Sequence, residues 1–149
     1  MIAIACDHAA LNMKNAIKQL LDERGLAYRD FGTDTTASCH YPVMAARAAK
    51  AVASGECDRG IVICGTGIGM SMAANKVKGI RCALCSESYS ARLTRMHNDA
   101  NMLAMGARVI GIEVARDIVN TFLDTPFDGG RHQTRIDMIA ALERGEELE

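Results

Sequence analysis

Three stretches of this chain, Ile2–Cys6, Arg59–Cys64 and Met102–Met105, carry apolar runs without regular polar alternation, and each is followed by residues at helical spacing. A strand with no polar face must be covered on both sides, which parallel sheets achieve through helical crossovers. The rest of the chain keeps the same alternation. Leu11, Ile17, Leu20 and Leu21 recur at helical spacing until Gly25 stops the helix, and Leu26–Asp30 reads as a second strand. The polar stretch Gly32–His40, with Tyr41-Pro42, reads as a loop into an alanine-rich helix from residue 43 to 54. A helix over 68–77, a strand over 80–85 and helices over 87–96 and 112–123 complete the pattern. The spacing therefore predicts an α/β fold, one domain over residues 1–149, with five parallel strands between two helical layers. Ligands are expected beyond the carboxyl ends of the strands.

After the last crossover comes Asp128-Gly-Gly-Arg-His-Gln-Thr-Arg135 and a final helix of about a dozen residues. This helix has no strand to cover, so it is expected to pack on a partner subunit. With 49% apolar residues among 149, a single core suffices. A net charge of −1 provides no basic field for nucleic acid or an anionic membrane, so any bound anion must be met by local groups. Met1–Ala5 enters a strand at once and no apolar run reaches membrane-spanning length, so a cytoplasmic protein is expected. Its six cysteines then read as reduced thiols. Cys82 and Cys85 form a C-x-x-C within the fourth strand, where odd spacing sends them to opposite faces and away from a joint redox or zinc role.

The most chemical segment is Cys64-Gly-Thr-Gly-Ile-Gly69, where the third strand runs into a thiol and then a glycine loop that opens a helix. Glycines let the backbone approach a ligand, and N–H groups at a helix start favour negative charge. A thiol there is suited to take a proton from carbon. The G-x-G-x-G spacing on the third strand is a poor dinucleotide fingerprint, and no Gly-Lys-Ser/Thr follows, so a nucleotide triphosphate loop is excluded.

Asp7 and His8 follow the first strand and should lie at the same sheet edge as Cys64. Asp7 is a partner for an imidazole or a cap for the next helix, and His8 is a donor to an anion. His97-Asn98-Asp99 closes the fourth helix, where a histidine serves either chemistry or the helix terminus. Arg131 and Arg135 lie four residues apart, on one face of a helix starting near Gly130, with His132 beside them; that arrangement suits phosphate, with Arg108 a further charge. His40 has no comparable context and reads as structural. A metal site from Cys6, His8, Cys64 and His97 lacks the close ligand pairs that zinc sites use, and no metal or other cofactor is expected.

Taken together, Cys-Asp-His at 6–8, Ile-Cys-Gly-Thr-Gly-Ile-Gly at 63–69, Ala-Ala-Asn-Lys at 73–76, Arg95-Met96-His97-Asn98-Asp99 and Gly-Gly-Arg-His at 129–132 resemble type B ribose-5-phosphate isomerase, in the same order over nearly the whole chain. The wider family includes isomerases of allose 6-phosphate and galactose 6-phosphate. The resemblance implies a Rossmann-like α/β/α sandwich, a homodimer or dimer of dimers with active sites at the subunit interface, and no metal. It implies that Cys64 moves a proton between C1 and C2 of a sugar phosphate while N–H groups from Gly65, Thr66, Gly67, Ile68 and Gly69 hold the enediolate, with Thr66 in reach of the same chemistry. It also implies that His97 opens the sugar ring with Asp7, that Asn98 contacts substrate, and that Arg108, Arg131 and Arg135 bind phosphate with His8 and His132 as helpers. Against the family pattern, His40 replaces an acidic or small residue, and Ala9 and Ala10 stand where glycine is frequent. A six-carbon substrate and a noncatalytic sugar-phosphate sensor are the competing readings; Cys64, Thr66 and His97 favour an enzyme, because a sensor needs only the arginines and the loop.

Overall fold

The computed structural model describes all 149 residues, in the order β1 (Ile2–Cys6), α1 (Leu11–Glu23), β2 (Tyr28–Asp30), α2 (Tyr41–Ala53), β3 (Arg59–Cys64), α3 (Ile68–Ala74), β4 (Cys82–Leu84), α4 (Ser88–Asn98), β5 (Met102–Gly106), α5 (Ile112–Asp124) and α6 (Arg131–Glu143). All five strands are parallel and lie in the order β2-β1-β3-β5-β4. Every residue of β1 and β5 is buried, as their unbroken apolar sequences require.

Alternate side chains of the central strands divide into two cores. Ile4, Cys6, Ile61, Ile63, Leu103 and Met105 pack against α1, α4 and α5. Ala3, Ala5, Val62, Cys64, Met102 and Ala104 pack against α2 and α3. The second core is built from small residues, with Ala45, Ala48 and Ala49 of α2 fully buried, so this helix lies close to the sheet. Cys82 packs with the second core and Cys85 with the first, as their odd spacing predicts. Burial pushes the Cys82 thiol up to about 12 and the Cys85 thiol up to about 11.

Several boundaries differ from the sequence reading for local reasons. β4 pairs only with β5 and keeps three residues rather than six, with Leu84 turned to solvent. α2 begins at Tyr41 because Pro42 sits in its first turn, where a missing N–H costs nothing. α3 stops at Ala74, since the Asn75 side chain takes both the N–H and the carbonyl of Cys82, at 2.8 and 2.9 Å. α6 covers no strand, as expected, but within the chain it packs on α4 through buried His132 and Ile136 while Met138, Ile139 and Leu142 face outward. No helix is long and apolar enough to cross a membrane.

The loop after β2 is held by a buried cation. Lys14 of α1 is fully buried and donates to the Thr33 carbonyl and to the carboxylates of Asp30 (2.9 Å) and Asp34 (3.1 Å). Farther along this loop, the N–H of Cys39 reaches back to His8.

Candidate active site

Cys64 ends β3 with 5% of its surface exposed, and the backbone turns directly beneath its sulfur. Gly67 makes that turn at φ +78°, a left-handed conformation that disfavours a side chain, and its N–H donates to Cys64 Sγ at 3.1 Å. That donor holds the sulfur at the mouth of the glycine turn. The Ile68 N–H turns to Thr66 Oγ1 at 3.3 Å, leaving the Thr66 hydroxyl proton available to an outside acceptor. Gly69 lies under the Tyr41 ring, where an added Cβ would stand 2.6 Å from ring carbon. The start of α2 therefore walls the glycine loop.

Other expected groups gather at the same edge. β1 and β3 are neighbours, and the Asp7 N–H donates to the Ile63 carbonyl at 3.1 Å. Asp7 does not cap α1 directly; its carboxylate accepts from Ala9 N–H at 3.0 Å and fixes the turn that precedes the helix. His8 Nδ1 accepts from Cys39 N–H at 3.2 Å, so a neutral His8 carries its proton on Nε2 as an outward donor. Arg108 follows β5, its N–H bound to the Gly65 carbonyl at 2.9 Å and its guanidinium lying against Gly65. Asp7, His8, Cys64, Gly65, Thr66, Gly67, Ile68, Gly69 and Arg108 thus share the carboxyl edge. Tyr41 and Cys39 are the neighbours that reading the sequence missed; the Tyr41-Pro42 pair was visible, but its contact with Gly69 depends on the α2–α3 packing.

The remaining candidates form a second cluster elsewhere. α4 runs back against the strand direction, so its last turn delivers His97 and Asn98 to the amino end of β5, where the Asn98 carbonyl accepts from Arg81 Nε at 2.8 Å. From Met102 to Gly106, β5 spans roughly 13 Å between the two edges. Within one chain, Asp7 and Cys64 therefore do not meet His97, and neither the expected Asp7–His97 pair nor a Cys6/His8/Cys64/His97 metal site can assemble. For the same reason Arg108 is separated from Arg131 and Arg135.

His97 instead stacks on His132, with ring centroids 4.2 Å apart and planes 11° from parallel. The Asp128 N–H donates to the Met96 carbonyl at 3.1 Å, tying the preceding loop to α4. Ligand-type atoms of His97, Asp128 and His132 lie within 4.8 Å of one another. The in-plane lone pairs of two near-parallel rings do not converge on one ion, and Arg131 and Arg135 stand nearby, so this arrangement suits an anion rather than a metal. Burial, then His97, Arg131 and Arg135, hold the His132 imidazole below its ordinary value. Arg131 and Arg135 are exposed and, like Arg108, belong to no ion pair, whereas Arg24, Arg29, Arg81, Arg95, Arg116 and Arg144 each have a carboxylate.

A cavity of about 610 Å³ lies under α6, lined by Asn75, Arg81, Cys82, Asn98, Ile139 and Leu142 among others. It reaches the candidate residues only at Asn98. Cys64 is not among its lining residues.

Residues 2–139 match the family model described as Ribose/Galactose Isomerase. The chain is 50% identical over 143 residues to ribose-5-phosphate isomerase B of Escherichia coli, covering 96% of each. Its fold superposes on ribose-5-phosphate isomerase B of Clostridium thermocellum with a TM-score of 0.96, at 53% identity and 97% coverage of both chains. It also matches the Mycoplasma genitalium ribose-5-phosphate isomerase B solved with bound ribulose-5-phosphate, with a TM-score of 0.92, 41% identity and coverage of 96% and 95%.

Proposed function

Since this chain belongs to the ribose/galactose isomerase family, we propose that it is a cytoplasmic aldose-ketose isomerase interconverting ribose 5-phosphate and ribulose 5-phosphate. The observation that carries the chemistry is the Gly67 N–H directed at the Cys64 sulfur inside a glycine turn. The carbon-bound proton next to a carbonyl is weakly acidic, so its removal needs a positioned base and a place for the oxyanion. Cys64 as thiolate takes the proton from C2 of the open-chain aldose phosphate, and the charge moves to O1 of an enediolate. The loop N–H groups not bound to Cys64 or Thr66, those of Gly65, Thr66 and Gly69, are the donors left for that charge, and the Thr66 hydroxyl gives its proton to O1 and takes the one released from the C2 hydroxyl. Return of the proton from Cys64 to C1 gives the ketose, with no net oxidation or loss of atoms.

The separation of the two clusters supports a site completed by a second chain. His97, Asn98, Arg131, His132 and Arg135 lie at the edge opposite Cys64, so a site using both sets is built from two chains, each giving its carboxyl edge to one site and its α4–α6 corner to the other. A two-fold homodimer completes two such sites at once, and pairing of dimers is compatible with it. His97 of one chain then opens the cyclic sugar, while Arg131 and Arg135 beside it, with Arg108 and His8 of the other chain, hold the phosphate. Outward-facing Ile68, Met72 and Leu84 near the glycine loop and Ile139 and Leu142 on α6 supply apolar surface for that contact.

The five-carbon substrate is supported by the relatives, which are ribose-5-phosphate isomerases B, and by the sensitivity of such chemistry to position, since one added carbon shifts the reacting atoms and small misplacements cost about 100-fold. Measuring kcat/KM on ribose 5-phosphate, allose 6-phosphate and galactose 6-phosphate in parallel tests the choice. Ribose 5-phosphate is expected to lead; a better hexose phosphate would reassign the substrate, and no turnover of any would leave a sensor.

A further inference from the structure

Asp128 is the carboxylate beside the His97–His132 stack, and the chemistry above does not use it. The other charged groups facing these rings, Arg131 and Arg135 of α6, are cationic and are reserved for phosphate. Arg95 of α4 is turned away, donating to Asp99 at 2.8 Å and to the Ala100 carbonyl at 2.6 Å. The two rings are stacked, and burial and the neighbouring His97 disfavour charge on His132. Ring opening nevertheless needs a cation there. It removes the proton of the C1 hydroxyl, breaks the bond from C1 to the ring oxygen and returns a proton to that oxygen, so an imidazole that performs both transfers passes through its charged form.

We propose that Asp128 is a positioning residue for ring opening: facing both rings of the stack, it offsets the two guanidiniums so that His97 can carry the proton while His132 braces its plane. This rests on the assignment of ring opening to His97. Asp128 is well placed to act without being part of the core, since it is exposed and its own N–H anchors the loop to the end of α4. Among the influences on His132, Asp128 opposes the burial, His97, Arg131 and Arg135 that disfavour its charge.

The test compares Asp128→Asn, Asp128→Glu and His97→Asn in the otherwise intact protein. Turnover of cyclic ribose 5-phosphate is measured against pH, alongside solvent-deuterium uptake at C1 of ribulose 5-phosphate, which has no ring to open. Asp128→Asn is expected to lower kcat on ribose 5-phosphate roughly tenfold or more with KM within about twofold. The limb of the pH profile set by the stack moves to lower pH, because losing a carboxylate disfavours the charged imidazole. Deuterium uptake stays at the wild-type rate, and Asp128→Glu restores the limb. A wild-type pH profile for Asp128→Asn, or equal loss in both assays, overturns the proposal. Should His97→Asn slow both assays equally, the ring-opening assignment falls and the proposal with it; should His97→Asn slow only the cyclic substrate while Asp128→Asn is silent, the proposal alone falls.

Discussion

The sulfur of Cys64 and the Gly67 N–H 3.1 Å from it are the smallest unit of chemistry in this molecule. Replacing Cys64 with alanine removes the base without touching the phosphate-binding side chains, so kcat is expected to fall by at least about 100-fold while affinity for a phosphate inhibitor is kept. Steady-state kinetics with an inhibitor titration check this, and wild-type-like kcat would remove Cys64 from the mechanism. Arg135 is exposed and unpaired, with its charge free for a ligand. Arg135→Ala should raise KM roughly ten- to hundredfold, corresponding to the ~1.5 to 3 kcal/mol of a charge-assisted hydrogen bond. At this scale most of the candidate groups were legible as residue types: a thiol at a strand end before three glycines can be picked out from sequence. Tyr41 over Gly69 and the His97–His132 stack were not, because both contacts join residues far apart in the chain.

Among the elements, α2 lacks a side-chain cap. His40 stands at its N-cap in an extended conformation, and its side chain makes no capping bond. Pro42 has no N–H and the Val43 N–H already donates to the His40 carbonyl, so His40→Asp should act through the helix dipole and stabilise the protein by about 0.5 kcal/mol, read as a higher thermal midpoint. The connection from β2 to α2 depends on Lys14 in the opposite sense. Burial disfavours charge on both partners, yet their mutual contact wins: the Lys14 ammonium is held above its ordinary value by Asp30 and Asp34, and the Asp30 carboxyl is held below its own by Lys14, Gly32 N–H and Lys18. An acid whose folded value is depressed contributes stability above its unfolded value near pH 4 and loses it as pH falls through the lower folded value. Lys14→Met should therefore cost about 2 kcal/mol at neutral pH, by leaving the partly buried Asp30 with only Lys18 and the Gly32 N–H, and flatten the loss of stability below pH ~4. Denaturant titrations at pH 7 and pH 3.5 measure both effects. Sequence periodicity marked every helix and strand, but the edge strand β4 was read too long because apolar residues at 80 and 85 belong to the turns that flank it.

For the whole molecule, the separation of Cys64 from His97 across the sheet makes a direct prediction about assembly. If each site joins the carboxyl edge of one chain to the α4–α6 corner of another, Cys64→Ala and His97→Asn chains impair both sites in their own homodimers. Refolded together in equal amounts, half of the dimers are mixed and each mixed dimer has one site with both groups, so about a quarter of wild-type activity returns. No recovery on mixing, with mixed dimers shown to form, would place the whole site within one chain. The sequence alone determined the parallel sheet, because unbroken apolar strands need two helical layers, and it marked the thiol before the glycine turn as the candidate reacting group. It could not determine which groups share a site. That was decided by chain direction in three dimensions: α4 returns antiparallel to the strands, so groups that end the strands and groups at the end of α4, with the start of α6 beside them, fall on opposite edges, and a site that used both sets would need a second copy.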